Sequence, residues 1–264
     1  MDPPVALSSL SGESDAEWAL AGAEHAGAAF LGGIAVDRES REAVRGMVAD
    51  RDRDEFLPED PVAWIDAQLA AVADADAALR PAVNVRATRP EAIRGAAAVC
   101  ADHGAILEVN AHCRQAELCA VGCGESLLRD TDRLAGYVAA ASDAGADVSV
   151  KVRAEVDGVD PAGTARAVAD AGADAVHVDA MDSEGVVGIV KDAAPGMTVI
   201  ANNGVRGRAT VREYLAAGAD VVSVGRPSDD PRVLRRVREA VDEWVAEEGT
   251  AGRQEGRDAP EVSR

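Results

Sequence analysis

The chain has 264 residues, of which 47% are hydrophobic, and it carries a formal net charge of −20 with a pI near 4.5. This length and apolar content allow a sizeable core, while only four cysteines exclude a disulfide scaffold and predict a reduced, cytoplasmic protein. The acidic N-terminus does not resemble a secretory signal, and no apolar stretch is long enough to span a bilayer, so we expect neither secretion nor membrane insertion.

Acidic residues outnumber basic ones along the whole chain, with 47 Asp and Glu against 27 Lys and Arg, and only Lys151 and Lys191 are lysines. One interpretation is a protein that avoids polyanions. The other, which we favour, is a halophilic protein that works in multimolar salt, where dense carboxylates keep the surface hydrated. At ~1 M salt the Debye length is only ~3 Å, so the charge does not by itself exclude a nucleic-acid partner.

Short β-branched segments alternate with Ala-rich segments of helical periodicity. The predicted strands span residues 5–8, 28–34, 81–87, 105–110, 147–153, 174–180, 198–203 and 220–226. The long connection at 38–80 indicates two helices. We therefore predict a single-domain α/β protein, a closed (β/α)8 TIM barrel at residues 1–247 with a disordered polar tail at 248–264. An open doubly wound sheet is the alternative.

Polar residues follow the ends of the predicted strands, where a barrel carries its chemistry. They are Asn84, Asn110, Cys113, Lys151, Arg153, His177, Asp179, residues 202–204, Gly225 and Arg226. Any one of them is explained equally well as an ordinary polar residue at a strand end. Together they predict one active-site rim, with the loops after the last two strands as the place for a phosphate.

Three of the four cysteines lie within eleven residues, in the segment ILEVNAHCRQAELCAVGCGESLLRD at 106–130. Four interpretations of this segment are open: a metal site, a nucleophile, a proton donor, or a loop with ordinary cysteines. The spacing C-x5-C-x3-C of Cys113, Cys119 and Cys123 does not match the paired cysteines of zinc sites, so we predict no metal. Arg114 and a helix start near Gly124 are expected to lower the pKa of the Cys113 thiol.

Six segments, in order along the chain, resemble the dihydrouridine synthase family, flavin barrels that reduce uridine in tRNA. They are SSLSGESD at 8–15, AVNV at 82–85, EVNAHC at 108–113, SVKVR at 149–153, VHVDA at 176–180, and the pair VIANNGV with VGR at 199–205 and 224–226. The resemblance implies FMN as cofactor, NAD(P)H as electron donor, and a uracil ring as the group that is reduced.

The resemblance also implies a role for each matching residue. FMN would be held by Ser9, Leu10, Ser11, Asn84, Lys151, His177, Asn203, Gly204, Gly225 and Arg226. Lys151 suits the flavin edge where negative charge gathers on reduction. Cys113 would protonate the pyrimidine carbon that receives no hydride, and Asn110 and Arg153 would face the substrate. The alternatives for Cys113 and His177 are a small buried hydrophobe and a hydrogen-bonded core histidine.

The sequence departs from the family pattern at three places near the rim. His112 replaces a glycine, Arg114 replaces a proline, and the family's His-x-Arg-Thr segment reads HVDA at 177–180. We also find no counterpart of the C-terminal helical domain that grips tRNA in that family, and expect a short member. No stable protein partner is predicted.

Four functions remain open from the sequence. The first is a tRNA-dihydrouridine synthase, and the second is a flavoenzyme that acts on a free pyrimidine. The third is a non-redox barrel that binds a phosphate, and the fourth is a flavin-binding protein without catalysis.

Overall fold

Eight parallel strands close into a barrel in chain order, and the last strand pairs with the first. The strands are β1 (Val5–Leu7), β2 (Ala28–Ala35), β3 (Arg80–Arg86), β4 (Ile106–Asn110), β5 (Asp147–Arg153), β6 (Ala175–Asp179), β7 (Thr198–Asn202) and β8 (Val221–Val224). The computed structural model describes residues 1–50, 54–180 and 182–255. The predicted single-domain TIM barrel is confirmed, and the open doubly wound sheet is wrong because β8 pairs with β1.

Helices follow the strands and cover the outside of the barrel. They are α1 (Ala16–Ala21), α2 (Arg38–Asp50), α3 (Pro61–Asp74), α4 (Pro90–Asp102), α5 (Ala116–Ala120), α6 (Glu125–Leu128), α7 (Thr131–Ser142), α8 (Pro161–Asp170), α9 (Gly185–Ala193), α10 (Arg208–Ala216) and α11 (Pro231–Glu255). A 3-10 turn spans Arg226–Asp229. The described part of the chain contains no helix long and apolar enough to cross a membrane.

Two of the predicted boundaries are informative. The segment 38–80 holds α2 and α3, as its length predicted, and Asp60 caps α3 by accepting hydrogen bonds from the backbone of Val62 and Ala63. The predicted barrel boundary at residue 247 falls inside α11, which continues to Glu255. The rest of the predicted tail, 256–264, lies outside the described residues.

The barrel interior is layered, because residues two apart on a strand point to the same face. The end of the interior away from the rim is apolar and contains Ala6, Ala28, Phe30, Ala82, Ile106, Ala175, Ile200 and Val221. Above it lie five polar residues, all with 0% exposure: Asn84, Glu108, Ser149, His177 and Ser223. Two residues further along the chain from each of these lie Arg86, Asn110, Lys151, Asp179 and Gly225, at the carboxyl ends of the strands. The alternation of the sequence thus builds an apolar floor, a polar layer and a rim.

Thermal stability is expected to rise with salt. A net charge of −20 on one barrel gives repulsion that destabilises the compact state when it is not screened. Thermal unfolding measured from low salt to several molar KCl should therefore show an increasing Tm. A Tm that stays flat over that range would instead favour a surface that avoids polyanions.

Candidate active site

A cavity of about 560 Å³ opens at the carboxyl ends of the strands. All but one of the residues predicted for the site line it, from six strands or the loops that follow them. These residues are Ser9, Leu10, Ser11, Asn84, Asn110, Cys113, Lys151, Arg153, Asn203, Gly204, Gly225 and Arg226. The parallel barrel brings them together because every strand ends at the same rim.

Lys151 is held at the cavity by the first loop. Its ammonium donates hydrogen bonds to Ser8 Oγ at 2.7 Å and Ser9 Oγ at 3.5 Å, and the side chain is 3% exposed. The long side chain therefore reaches across the barrel from β5 to β1. A buried cation fixed by two hydroxyls gives this side of the cavity a positive charge that a bound anion can use.

His177 is the predicted site residue that does not line the cavity, and its contact with the cofactor stays a prediction. Its ring is fully buried, with Nδ1 2.8 Å from Glu108 Oε2 and Nε2 2.7 Å from Ser223 Oγ. Strand register puts His177 level with Lys151, but the short imidazole ends in the polar layer where the longer lysine reaches the cavity. Its surroundings are those of the alternative, a hydrogen-bonded core histidine.

Glu108 is the centre of this buried polar layer, and the sequence analysis did not single it out. It accepts hydrogen bonds from Asn84 Nδ2 at 2.7 Å and from Ser149 Oγ at 3.2 Å, in addition to its contact with His177. Asn84 in turn accepts one from Asn110 Nδ2 at 2.8 Å, which carries the network to the rim. A carboxylate two residues before Asn110 on the same strand face was the available signal.

Asn110 also shapes the loop that carries Cys113. Its Oδ1 accepts hydrogen bonds from the backbone of His112 at 3.2 Å and Cys113 at 3.0 Å. Gly124 closes the same loop with φ of +61°, and a Cβ there would lie 2.1 Å from the Cys113 carbonyl oxygen. Only glycine fits this close approach, so the loop places the Cys113 thiol at the cavity wall.

Arg86 is the second side chain that the sequence analysis missed. It lines the cavity from β3, is 2% exposed, and donates to Glu55 Oε2 at 2.8 Å and to Ser11 Oγ at 2.6 Å. Its Nε is buried and has no hydrogen-bond partner among the described residues. The signal was an arginine that ends an apolar strand on the same face as Asn84.

The surroundings of Cys113 favour its ionised form. Burial alone would raise the pKa of the thiol, but the Arg86 guanidinium, the His112 ring and Asn110 together lower it to about 6. The guanidinium that acts on the thiol is thus that of Arg86, whereas Arg114, which the sequence suggested, is exposed at the rim. Cys113 therefore has the cationic surroundings of a reactive thiol, and its role as proton donor stays a prediction.

The other cysteines have separate surroundings. Cys119 Sγ lies 3.6 Å from the Cys113 carbonyl oxygen, and Cys123 Sγ lies 3.2 Å from the Ala87 carbonyl oxygen. Burial raises the pKa of Cys100 and Cys123 to about 12. Within the described ranges, no group of three or more His, Cys, Asp or Glu side chains is arranged to hold a metal ion.

The loops after β7 and β8 form the other end of the cavity. Asn203 has φ of +82° and donates from Nδ2 to Asp179 Oδ1 at 2.8 Å. A Cβ added to Gly204 or Gly225 would meet no protein atom within 4 Å. Both glycines therefore leave open space beside backbone amides, as a bound phosphate needs.

The cavity has the opposite charge to the rest of the molecule. Six cationic side chains line it, and only Glu155 and Asp179 oppose them. The cations are Arg86, Arg114, Lys151, Arg153, Arg206 and Arg226. The exposed guanidinium groups of Arg114, Arg206 and Arg226 have no ion-pair partner in the part of the chain that the structure describes. The site is suited to an anionic ligand.

Comparison with known protein families gives one match over most of the chain. Residues 35–255 match the family model described as dihydrouridine synthase (Dus). No curated protein matches the sequence.

Solved structures share the fold at low identity. DHODH from Eimeria tenella in complex with ferulenol has a TM-score of 0.69 and 15% identity, covering 94% of this chain and 82% of that one. A FabK mutant from Thermotoga maritima has a TM-score of 0.56 and 16% identity, covering 85% and 62%. A tryptophan synthase complex from Pyrococcus furiosus has a TM-score of 0.55 and 12% identity, covering 91% of this chain and 97% of that one. At these identities the likeness concerns the barrel alone.

Proposed function

Because the chain belongs to the dihydrouridine synthase family and is thus a flavin-dependent oxidoreductase, we propose that it reduces the C5=C6 bond of a uracil ring in tRNA. FMN is the proposed cofactor and NAD(P)H the proposed electron source. The observation that carries this proposal is the Cys113 thiol at the wall of a cationic cavity that also holds Lys151.

The residues around the cavity fit both the phosphate and the ring of FMN. Gly204, Gly225 and Arg226 would hold the phosphate, since the two glycines leave open space and the guanidinium is unpaired among the described residues. Lys151 would lie at the ring edge, where charge develops on reduction. The buried, unpartnered Nε of Arg86 is a further donor that a ligand could satisfy.

Three residues of the cavity would then have defined tasks in the reduction. When bound, the flavin supplies the two electrons as a hydride to one carbon of the double bond. Cys113 donates the proton that the other carbon needs, a contribution of typically ~10²–10⁴ in rate. Asn110 and Arg153 line the same cavity and would hold the carbonyl groups of the ring.

The charge of the cavity favours tRNA over an uncharged free pyrimidine base as substrate. A neutral base needs no more cations than the FMN phosphate and the developing ring charge require. Arg114 and Arg206 are exposed at the rim, and such guanidinium groups would meet the phosphates of a polynucleotide whose base enters the cavity.

Flavin binding can be tested with the chain's two lysines. Lys151→Met and Arg226→Ala are each expected to weaken FMN binding ~10–100-fold, the effect of losing a hydrogen bond from a charged group. Lys191→Met is the matched control, because Lys191 pairs with Asp220 on the surface at 2.8 Å, away from the cavity. The measurement is FMN occupancy from the absorbance spectrum, followed by titration of the flavin-free protein. A wild-type protein that is colourless and cannot be reconstituted with FMN would contradict the cofactor assignment.

The substrate can be tested with the purified protein in high salt. The flavin is first reduced anaerobically with NADH or NADPH. An unmodified tRNA transcript, UMP and orotate are then supplied separately, and the products are measured by mass spectrometry. We expect dihydrouridine in the tRNA. Reduction of UMP or orotate alone would replace tRNA by a free pyrimidine, and no reduction of any of the three would overturn the proposal.

A further inference from the structure

A histidine that precedes Cys113 in the chain contacts an aspartate across the cavity wall. His112 lies in the loop after β4, and its ring is one of the groups that lower the pKa of the Cys113 thiol. On its other side, His112 Nε2 lies 2.6 Å from Asp179 Oδ2 at the end of β6. All three residues line the cavity. Cys113 and His112 are thus neighbours on the cavity wall, and a hydrogen bond connects His112 to Asp179.

Asp179 is fixed in the position that this alignment needs. Its Oδ1 accepts a hydrogen bond from Asn203 Nδ2 at 2.8 Å, and Arg153 Nη1 lies 3.8 Å from Oδ2. Its pKa lies well below the usual range: burial alone would raise it, but His112, Asn203 and Arg153 outweigh that effect. Asp179 is therefore a fixed negative charge that orients the His112 ring.

The charges around the pair come from several elements. Arg86 on β3 faces the thiol, and Lys151 on β5 acts on the His112 ring. Arg153 on β5 lies between Asp179 and Glu125, whose Oε2 is 4.0 Å from Arg153 Nε. Burial and Lys151 lower the pKa of His112, but the hydrogen bonds to Asp179 and Cys113 raise it above its ordinary value. The net result favours a thiolate beside an imidazolium.

This charge state creates a requirement that Cys113 cannot meet alone. A general acid must carry its proton at the working pH, and a thiol with a pKa of about 6 has lost most of it at neutral pH. A neighbouring group that is still protonated at that pH can donate a proton to the Cys113 thiolate. Of the charged side chains that lower the pKa of the thiol, His112 is the one that can release a proton, and its pKa is raised above the ordinary value; Arg86 keeps its proton throughout.

We propose that His112, aligned by Asp179, stores the proton that Cys113 delivers to the substrate. The inference deepens the proposed function and depends on it for the identity of the proton acceptor. Both His112 and Asp179 stand at positions where the sequence departs from the pattern of the family it resembles. The two departures are connected in the structure, because His112 and Asp179 form a hydrogen bond with each other.

The proton transfer balances without any further reactant. The His112 imidazolium passes a proton to the Cys113 thiolate, and the S–H bond formed then breaks as the proton moves to the substrate carbon. The sulfur is again a thiolate and the ring is neutral. Neutral His112 takes up one proton from solvent through the open cavity mouth. No electrons are exchanged in these steps, since both electrons reach the substrate with the hydride.

The coupling between the two residues can be measured without flavin or substrate. The rate at which iodoacetamide alkylates Cys113 is followed against pH by peptide mass mapping. Trypsin cleavage at Arg114 places Cys113 on a different peptide from Cys119 and Cys123, and fragmentation of the peptide 95–114 distinguishes Cys113 from Cys100. The wild-type midpoint is expected near pH 6, and His112→Asn should raise it by about one pH unit or more, because the thiolate loses its cationic neighbour. An unchanged midpoint in His112→Asn would overturn the inference whatever the enzyme reduces.

The second measurement is the pH profile of substrate reduction in a single turnover with pre-reduced enzyme and tRNA. Asp179→Asn is expected to move the alkaline limb to lower pH, because the aspartate no longer raises the pKa of His112. His112→Ala should slow reduction at pH 8 by ~10²-fold, and added imidazole should restore part of the rate. Profiles unchanged in both variants would overturn the relay.

A matched control is available on the surface. His103 and Asp66 form a similar pair, with 2.7 Å between Nε2 and Oδ1, at the end of α4 away from the cavity. His103→Asn is expected to leave both profiles unchanged. If the alkylation midpoint shifts in His112→Asn but no uracil compound is reduced, the proposed function fails, and the relay fails with it as a step in uracil reduction.

Discussion

Replacing Cys113 with alanine is expected to slow reduction of the uracil ring by ~10²-fold or more while leaving FMN binding nearly intact. The thiol is the proposed proton donor, and the groups assigned to FMN lie on other elements of the rim. The measurement separates two half-reactions: reduction of the bound flavin by NAD(P)H, which should stay close to wild type, and the following reduction of tRNA, which should be slow.

Cys119→Ala is the matched control for this experiment. Cys119 lies in the same loop and is half-buried, and its thiol donates to the Cys113 carbonyl oxygen at 3.6 Å. It should behave close to wild type. Equal damage from alanine at Cys113, Cys119 and Cys123, together with stoichiometric zinc or iron in the wild type, would contradict the proton-donor role and support a metal site.

Replacing Glu108 with alanine is expected to lower the free energy of unfolding by ~3–5 kcal/mol, the cost of breaking a fully buried charge network. The change removes the acceptor for Asn84 and Ser149 and the partner of His177 Nδ1, all at 0% exposure. Because Asn84 also supports Asn110, the Cys113 loop should lose order as well. Chemical denaturation in high salt gives the stability, and FMN affinity reports the site.

Two variants bracket the Glu108 result. Glu108→Gln keeps the size and one acceptor oxygen, so its loss should be smaller than that of alanine. Asp242→Ala removes an exposed partner of Arg238 on α11 and should cost less than ~1 kcal/mol. A Glu108→Ala protein as stable as the Asp242→Ala control would show that the buried layer contributes little to folding.

The buried network around Glu108 predicts that the free energy of unfolding decreases in acid. Burial alone would raise the pKa of Glu108, but His177, Lys151 and the hydrogen bond from Asn84 lower it below its ordinary value. A carboxylate with a lowered pKa stabilises the fold above its unfolded-state pKa, and this contribution is lost as pH falls through the folded-state value. Stability of Glu108→Gln should therefore decline less steeply in acid than that of the wild type.

The sequence by itself determined the architecture and most of the rim. Alternation of β-branched strands with Ala-rich helices gave eight units in chain order, and the long segment 38–80 indicated its two helices. In a parallel barrel all strands end at one rim, so residues that follow strand ends must converge without any knowledge of side-chain contacts. Lys151, Cys113 and Gly225 could be assigned to one site for that reason.

Only the tertiary structure decided depth in the barrel and contacts between distant segments. The period of two assigns Lys151 and His177 to the interior, but side-chain length and strand register decide that the lysine reaches the cavity and the histidine stays in the buried layer. His112 and Asp179 are 67 residues apart, and Arg86 meets Cys113 from another strand. Such pairings depend on barrel closure and on the path of each loop, which local periodicity does not specify.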